Sequence, residues 1–286
     1  MNYKDYSNRI LSRFMPNKTW KQHCYREKYR QIQKSDLASL LIKNQKLQDI
    51  HKDDKCFILG NGPSLSKVNF SLLRNQITFT TNELYYHENF QELDTTYHLF
   101  ADPFYVKELD TKIDLLLSKS KPKGIFLESS AYKKVLENAY HTKLPIYIFI
   151  NGMEVEDLKY IPIDLCKMLP YFCSVVQCAI VIAAYMGFKE IYLLGCDCTG
   201  IVNYINKKKG QSMMEYSFSL PEEEQKKQQC IQINSEHMFF EWYHIFKSYR
   251  LLNETLMNRK IKIINLTENG ILDSLEKGNL EDVILS

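Results

Sequence analysis

The chain has 286 residues, room for one large domain or two small ones, and its 45% hydrophobic content can bury a sizeable core. No apolar run reaches the roughly 20 residues that a membrane-spanning helix needs; the longest, from Val175 to Met186, gives way to Lys189-Glu190. The net charge of +3 is uneven: residues 1–55 hold 13 Lys/Arg against 6 Asp/Glu, and the remainder is mildly acidic.

Met1 is followed by polar and charged residues rather than by the apolar stretch of a secretory leader, so the expected compartment is the cytoplasm. Residues 1–54 read as a basic helical extension, with Ser35-Asp36 as a cap for a helix through Leu40, Leu41 and Leu47. A basic arm of this kind suits an anionic membrane surface, such as the inner face of the cell membrane. It equally suits a solvated extension or a contact in a homo-oligomer; no nucleic-acid partner is expected.

The body begins with Lys55-Cys-Phe-Ile-Leu-Gly-Asn-Gly-Pro-Ser-Leu65. An apolar strand runs into Gly60-Asn61-Gly62-Pro63-Ser64, and proline suits the first turn of a helix. Strand, glycine turn and helix start would aim backbone N–H groups at a phosphate. The segment lacks the third glycine of a dinucleotide fingerprint and the Gly-Lys-Ser/Thr of a P-loop.

Further strands are expected at Ile77–Thr80, Thr96–Phe100, Gly124–Leu127, Ile146–Ile150, Glu190–Leu194 and Lys260–Ile264. Helical patterns lie between them, near Leu65–Leu73, Ala131–Tyr140, Glu154–Met168, Val175–Met186 and Glu236–Asn258. This alternation predicts an α/β fold: a doubly wound, mostly parallel sheet whose ligand sits beyond the carboxyl ends of the strands. Asn82, Asp102 and Asp197 follow three of those ends and, with the glycine turn, would line one polar crevice.

The polar stretch between Lys207 and Gln232 follows Asp197 and reads as a lid excursion, about 200–234. Asn234-Ser235 then caps a long helix whose stripe of Phe239, Trp242, Tyr243, Phe246, Tyr249 and Leu252 is expected in the core. The eight cysteines lie mostly in apolar runs and read as buried small hydrophobes. There is no Asp-x-Asp, no His-x-x-x-His and no Cys/His cluster, so no metal site is expected.

Four segments together resemble the bacterial sialyltransferases of glycosyltransferase family 42 and related polysaccharide-locus proteins labelled as hydroxymethylpterin pyrophosphokinase-like. They are Phe57–Leu65; Phe79-Thr-Thr-Asn82 before an aromatic pair; Phe100-Ala-Asp-Pro103; and Ala179 to Asp197, in which Gly-Phe-Lys-Glu leads into a buried strand ending Gly-x-Asp. The resemblance spans about residues 55–200, is extended by Lys260–Thr267, and implies a Rossmann-like nucleotide-sugar-binding domain over 55–286.

It also implies a CMP-activated donor contacted by Gly60, Asn61, Gly62, Ser64, Asn82, Asp102, Ser174, Asp197, Thr199 and Tyr204. Asp102 stands where the family has asparagine, Val175 where it has glycine, and Thr199 where it has tyrosine. The implied reaction is inverting, metal-independent transfer of an acidic sugar to a glycan or lipid-linked glycan acceptor in surface polysaccharide synthesis. A histidine base, which in the family lies between the lid and the last helix, would take the acceptor proton; His237 and His244 both fit, and His237, in the first helical turn, is preferred. Other readings are an ATP-dependent pterin pyrophosphokinase-like enzyme, or an inactive nucleotide-binding scaffold.

Overall fold

The computed structural model describes residues 17–137, 144–153, 159–206, 215–229 and 234–285. Nine strands form its sheet: β1 (Lys55–Leu59), β2 (Thr78–Thr81), β3 (Tyr97–Phe100), β4 (Gly124–Glu128), β5 (Ile146–Met153), β6 (Met168–Pro170), β7 (Glu190–Leu194), β8 (Lys262–Asn265) and β9 (Glu276–Lys277). The order is β6-β5-β4-β3-β2-β1-β7-β8-β9, and every neighbouring pair is parallel. The helices of the described residues are α1 (Asn17–Gln33), α2 (Leu37–Ile42), α3 (Leu109–Lys119), α4 (Tyr132–Glu137), α5 (Val175–Tyr185), α6 (Gly200–Asn206), α7 (Glu222–Gln229), α8 (Ser235–Met257) and α9 (Leu280–Leu285).

The central strands are apolar on both faces because helices cover both. In β1, Cys56 and Ile58 join α5 and α8 in one layer, while Phe57 and Leu59 pack with α2 and α3 in the other. The α5 helix is buried from Val176 to Tyr185, which explains a sequence with no polar face. Its one amide side chain, Gln177, donates to the Ile245 carbonyl of α8 at 2.8 Å. Gly187, at φ +99°, ends the helix, and a Cβ there would lie 3.0 Å from the Cα atoms of Asp49 and Lys52.

The chain lays down β1 to β6 outward in one direction, and α5 then carries it back to place β7 on the other edge of β1. The direction of winding therefore reverses between β1 and β7, the switch point where doubly wound folds open a crevice. This is the expected α/β architecture.

Residues 37–47 belong to the packed body. Leu37, Leu40, Leu41 and Leu47 are buried, and the Asn44 amide donates to the carbonyls of Ile148 and Leu165 at 2.8 and 2.9 Å. At the amino ends of the central strands, away from the crevice, His51 Nε2 lies 2.8 Å from the Tyr97 hydroxyl and its ring stacks on Phe188.

Several expected elements differ. The helix expected over Leu65–Leu73 is two 3₁₀ turns, Pro63–Lys67 and Phe70–Leu73. Asn69 sits between them and accepts from the Ser71 amide at 3.1 Å, a local bond that competes with helix. The described part of the helix expected over Glu154–Met168 is irregular, and Met168–Pro170 is strand β6. Pro162 removes one helical donor there, and Asn151 holds Phe172 through both its amide nitrogen (2.9 Å) and its oxygen (2.7 Å).

The α8 stripe is also only half core. Tyr249 and Leu252 are buried, but Phe239 and Tyr243 are 49% and 57% exposed. Among the described residues no helix is long and apolar enough to cross a membrane.

Candidate active site

The glycine turn sits at the switch point, packed against the end of β7. Gly60 N donates to Leu194 O at 2.8 Å, Gly62 N to Gly195 O at 2.9 Å, and Ser64 N to Asp197 Oδ1 at 3.1 Å. Ser64 Oγ donates to Asp197 Oδ2 at 2.8 Å. A Cβ on Gly60 would lie 2.5 Å from Gly195 O, and one on Gly62 would lie 1.9 Å from Asp197 Oδ2. Both glycines are thus required by the contact between two strand ends. This changes the expected role of the turn: three of its amides are spent on β7 rather than aimed at a ligand.

Asp197 is the matching half of that contact. Burial raises its carboxyl above the ordinary range, against the opposing pull of the Ser64 hydroxyl and amide. Its main-chain carbonyl accepts from Ile271 N at 3.0 Å, and Thr267 Oγ1 accepts from Cys196 N at 3.0 Å, so the β8 exit buttresses the same corner. Thr267 was not singled out from the sequence, although it ends a segment that carries the resemblance.

Asn61 and Asn82 stitch the next strand ends together. With its amide nitrogen turned to the carbonyls, Asn61 donates to Thr81 O at 3.1 Å and to Gly60 O at 3.2 Å. Asn82 adopts the left-handed φ of +46°, and its Oδ1 accepts from Ala101 N at 3.3 Å. Asp102, at the exit of β3, is half-buried, and its carbonyl accepts from Tyr105 N at 3.1 Å. His98, inside β3, lies 2.7 Å from Thr80 Oγ1, and burial lowers its pKa to about 3, so it is a neutral structural group.

Ser174 is the N-cap of α5, and its side chain makes no capping bond to that helix. It approaches instead the hydroxyl of the fully buried Tyr249. The adjoining Val176 Cγ2 would lie 3.3 Å from a Cβ on Gly60. The amino end of the 11-residue α5 therefore abuts the glycine turn, and it supplies the positive helix end that the short Pro63–Lys67 turn does not.

Both candidate histidines lie on α8. His237 lies in the first turn of α8; the Asn234 side chain accepts its amide at 2.8 Å, and its Nε2 is 3.2 Å from Glu241 Oε1. Tyr171 and Cys173 follow the β6 exit, and burial raises both groups above their ordinary values. His244, two turns on, packs edge-on to Phe240 at 4.3 Å and to Tyr243 at 5.4 Å.

Tyr204 of α6 hydrogen-bonds Ser235 Oγ at 2.7 Å, and Thr199 O accepts from the amides of Val202 and Asn203 at the start of that helix. The structure therefore packs Gly60, Gly62 and Ser64 against the Gly195–Asp197 exit of β7, ties Asn61 to the end of β2, places Ser174 beside the turn, and sets Tyr204 next to the capped end of α8.

Of the expected lid, residues 207–214 and 230–233 lie outside the described residues. Its described part includes α7 and a strap over the strand ends in which Ser217 N donates to Asn61 O at 3.1 Å. Every cysteine among the described residues is free, Cys56, Cys178 and Cys196 are buried, and no metal-binding group of His, Cys, Asp and Glu occurs there.

No protein-family model and no curated protein matches the chain. Among solved structures it is similar to the sialyltransferase CstII from Campylobacter jejuni in complex with a substrate analogue, cytidine-5'-monophosphate. The TM-score is 0.50 at 16% identity, over 80% of this chain and 86% of that one. It also aligns with the MAf glycosyltransferase from Magnetospirillum magneticum AMB-1, with a TM-score of 0.47 at 7% identity, over 85% of this chain and 38% of that one. The first likeness shows the Rossmann-like α/β fold.

Proposed function

We propose that the chain is a glycosyltransferase that binds a CMP-activated acidic sugar at the β1–β7 crevice and transfers it, with inversion, to a glycan acceptor. The observation that carries this reading is the amino end of α5, with the Ser174 hydroxyl, set against the Gly60–Gly62 turn at the switch point of the sheet. Its support comes from the four sequence segments and from the solved neighbour, a sialyltransferase in complex with CMP.

In this reading the donor phosphate lies at the α5 end, where amides and helix dipole favour negative charge. The nucleoside runs along the strand ends formed by Asn61, Asn82 and Asp102. Asp197 holds the turn in shape through Ser64 and touches no substrate. The acceptor oxygen bonds to the anomeric carbon as the carbon–oxygen bond to phosphate breaks. The electron pair leaves on the CMP phosphate, and the acceptor hydroxyl proton passes to His237. Glu241, 3.2 Å from His237 Nε2, orients the ring. Helix-end amides and Ser174 stabilise the charge growing on the leaving phosphate.

The test is CMP release from a CMP-activated sialic acid, followed with and without a glycan acceptor. The wild-type chain is expected to release CMP, and His237→Ala to lose about a hundredfold or more of that rate. Release no faster than the uncatalysed background, with turnover of ATP and magnesium instead, contradicts the proposal.

A further inference from the structure

The most buried charge cluster among the described residues lies beside the crevice and has no part in the chemistry above. Lys112 of α3 and Glu83, the residue after Asn82, are each 4% exposed. Lys112 Nζ is 3.5 Å from Glu83 Oε1 and 3.1 Å from Glu224 Oε1, and it sits 4.6 Å above the Tyr105 ring. A buried ammonium persists only with partners, and one carboxylate would neutralise it. Here a second arrives from α7, in a different part of the chain.

That second carboxylate is tied to the glycine turn through the strap. Ser217 N donates to Asn61 O at 3.1 Å, the Phe218 ring lies 6.4 Å from Tyr86, and Leu220 is buried. Gln225 Nε2 then returns to Leu220 O at 2.7 Å and locks the strap to α7. Among these contacts the Lys112–Glu224 pair is the ionic one.

We propose that Lys112 is a positioning residue that holds the strap and the α7 helix that follows it, together residues 215–229, down over the Gly60–Gly62 turn by bridging Glu224 of α7 to Glu83 beside Asn82. The strap then forms part of the wall of the crevice, and one buried cation sets strap and strand ends together. The link to nucleotide binding rests on the proposed function; the holding of the strap does not.

Hydrogen exchange of the full chain tests this, with wild type, Lys112→Met, Glu224→Gln and the double variant compared. Amides of residues 217–229 should exchange about tenfold faster or more in either single variant. The double variant should be no faster than Lys112→Met, and the β1 and β7 peptides should stay protected in Glu224→Gln, whose side chain is at the rim of the cluster. An unchanged strap in Glu224→Gln, or single effects that simply add, overturns the proposal. CMP titration of the same variants gives the functional arm, with binding weakened where the strap loosens. A strap that loosens in a protein that never binds CMP refutes the functional reading and leaves the role of Lys112 standing.

Discussion

Gly62→Ala probes the contact that shapes the crevice. The new Cβ would lie 1.9 Å from Asp197 Oδ2 and 2.7 Å from Gly195 O. The carboxylate must swing away and give up the Ser64 amide at 3.1 Å and hydroxyl at 2.8 Å, or the turn must lift off β7. Each bond to a charged group contributes about 1.5–3 kcal/mol, but a displaced Asp197 regains solvation and half-buried Ser64 regains water, so a net cost of about 2–3 kcal/mol is expected. For 286 residues, an unfolding entropy of about 2.1 cal/mol/K per residue makes this a fall in Tm of about 3–5 °C.

Calorimetric melts of a double-mutant cycle with Asp197→Ala are the assay. Without the carboxylate, Gly62→Ala should cost about 1 kcal/mol less than it does in the wild-type background, a coupling typical of groups in contact. The Gly195 carbonyl keeps its cost above zero. A Tm within about 1 °C of wild type, or the same cost in both backgrounds, refutes the reasoning.

Burial lifts the Glu83 carboxyl above its ordinary 4.5, so the folded chain keeps that proton to higher pH than the unfolded chain does. Its contribution to stability is therefore most favourable below 4.5 and is lost as pH rises through the folded value. Urea midpoints of Glu83→Gln should gain on wild type across that rise; a difference that is flat or runs the other way contradicts the assignment. Glu241→Gln should lower CMP release by about tenfold or more through His237 while leaving CMP affinity within about twofold; equal loss of affinity would place Glu241 in donor binding instead. His244→Ala should keep CMP release within about fivefold of wild type, and a loss matching that of His237→Ala would make His244 the base.

Much of the frame was legible because its signals are local. Cys56–Leu59, Ile191–Leu194 and the almost wholly apolar α5 carry strand and helix patterns that need no tertiary help. Their alternation was enough for a parallel sheet, and strand-end logic placed Asn82, Asp102 and Asp197 together at the carboxyl ends of its strands. What could not be read depends on contacts distant in sequence. The two glycines look like a ligand-facing pair until Gly195 and Asp197 are seen against them. Lys112 looks like a solvated helix residue, and only Glu83 and Glu224, 112 residues away, make it a buried cation. Strand β6 is three residues long and follows a proline-containing segment, too short for any periodicity to register.

The central claim is that the corner where α5 meets the glycine turn binds the phosphate of CMP. Isothermal titration of the full chain with CMP tests it most directly, with ATP and magnesium as the comparison and Ser174→Ala as the site control. Saturable CMP binding is expected, weakened about tenfold in Ser174→Ala by loss of one bond to a charged group, with weaker binding of ATP. No CMP binding, or binding that Ser174→Ala leaves unchanged while ATP with magnesium binds tightly, would contradict it.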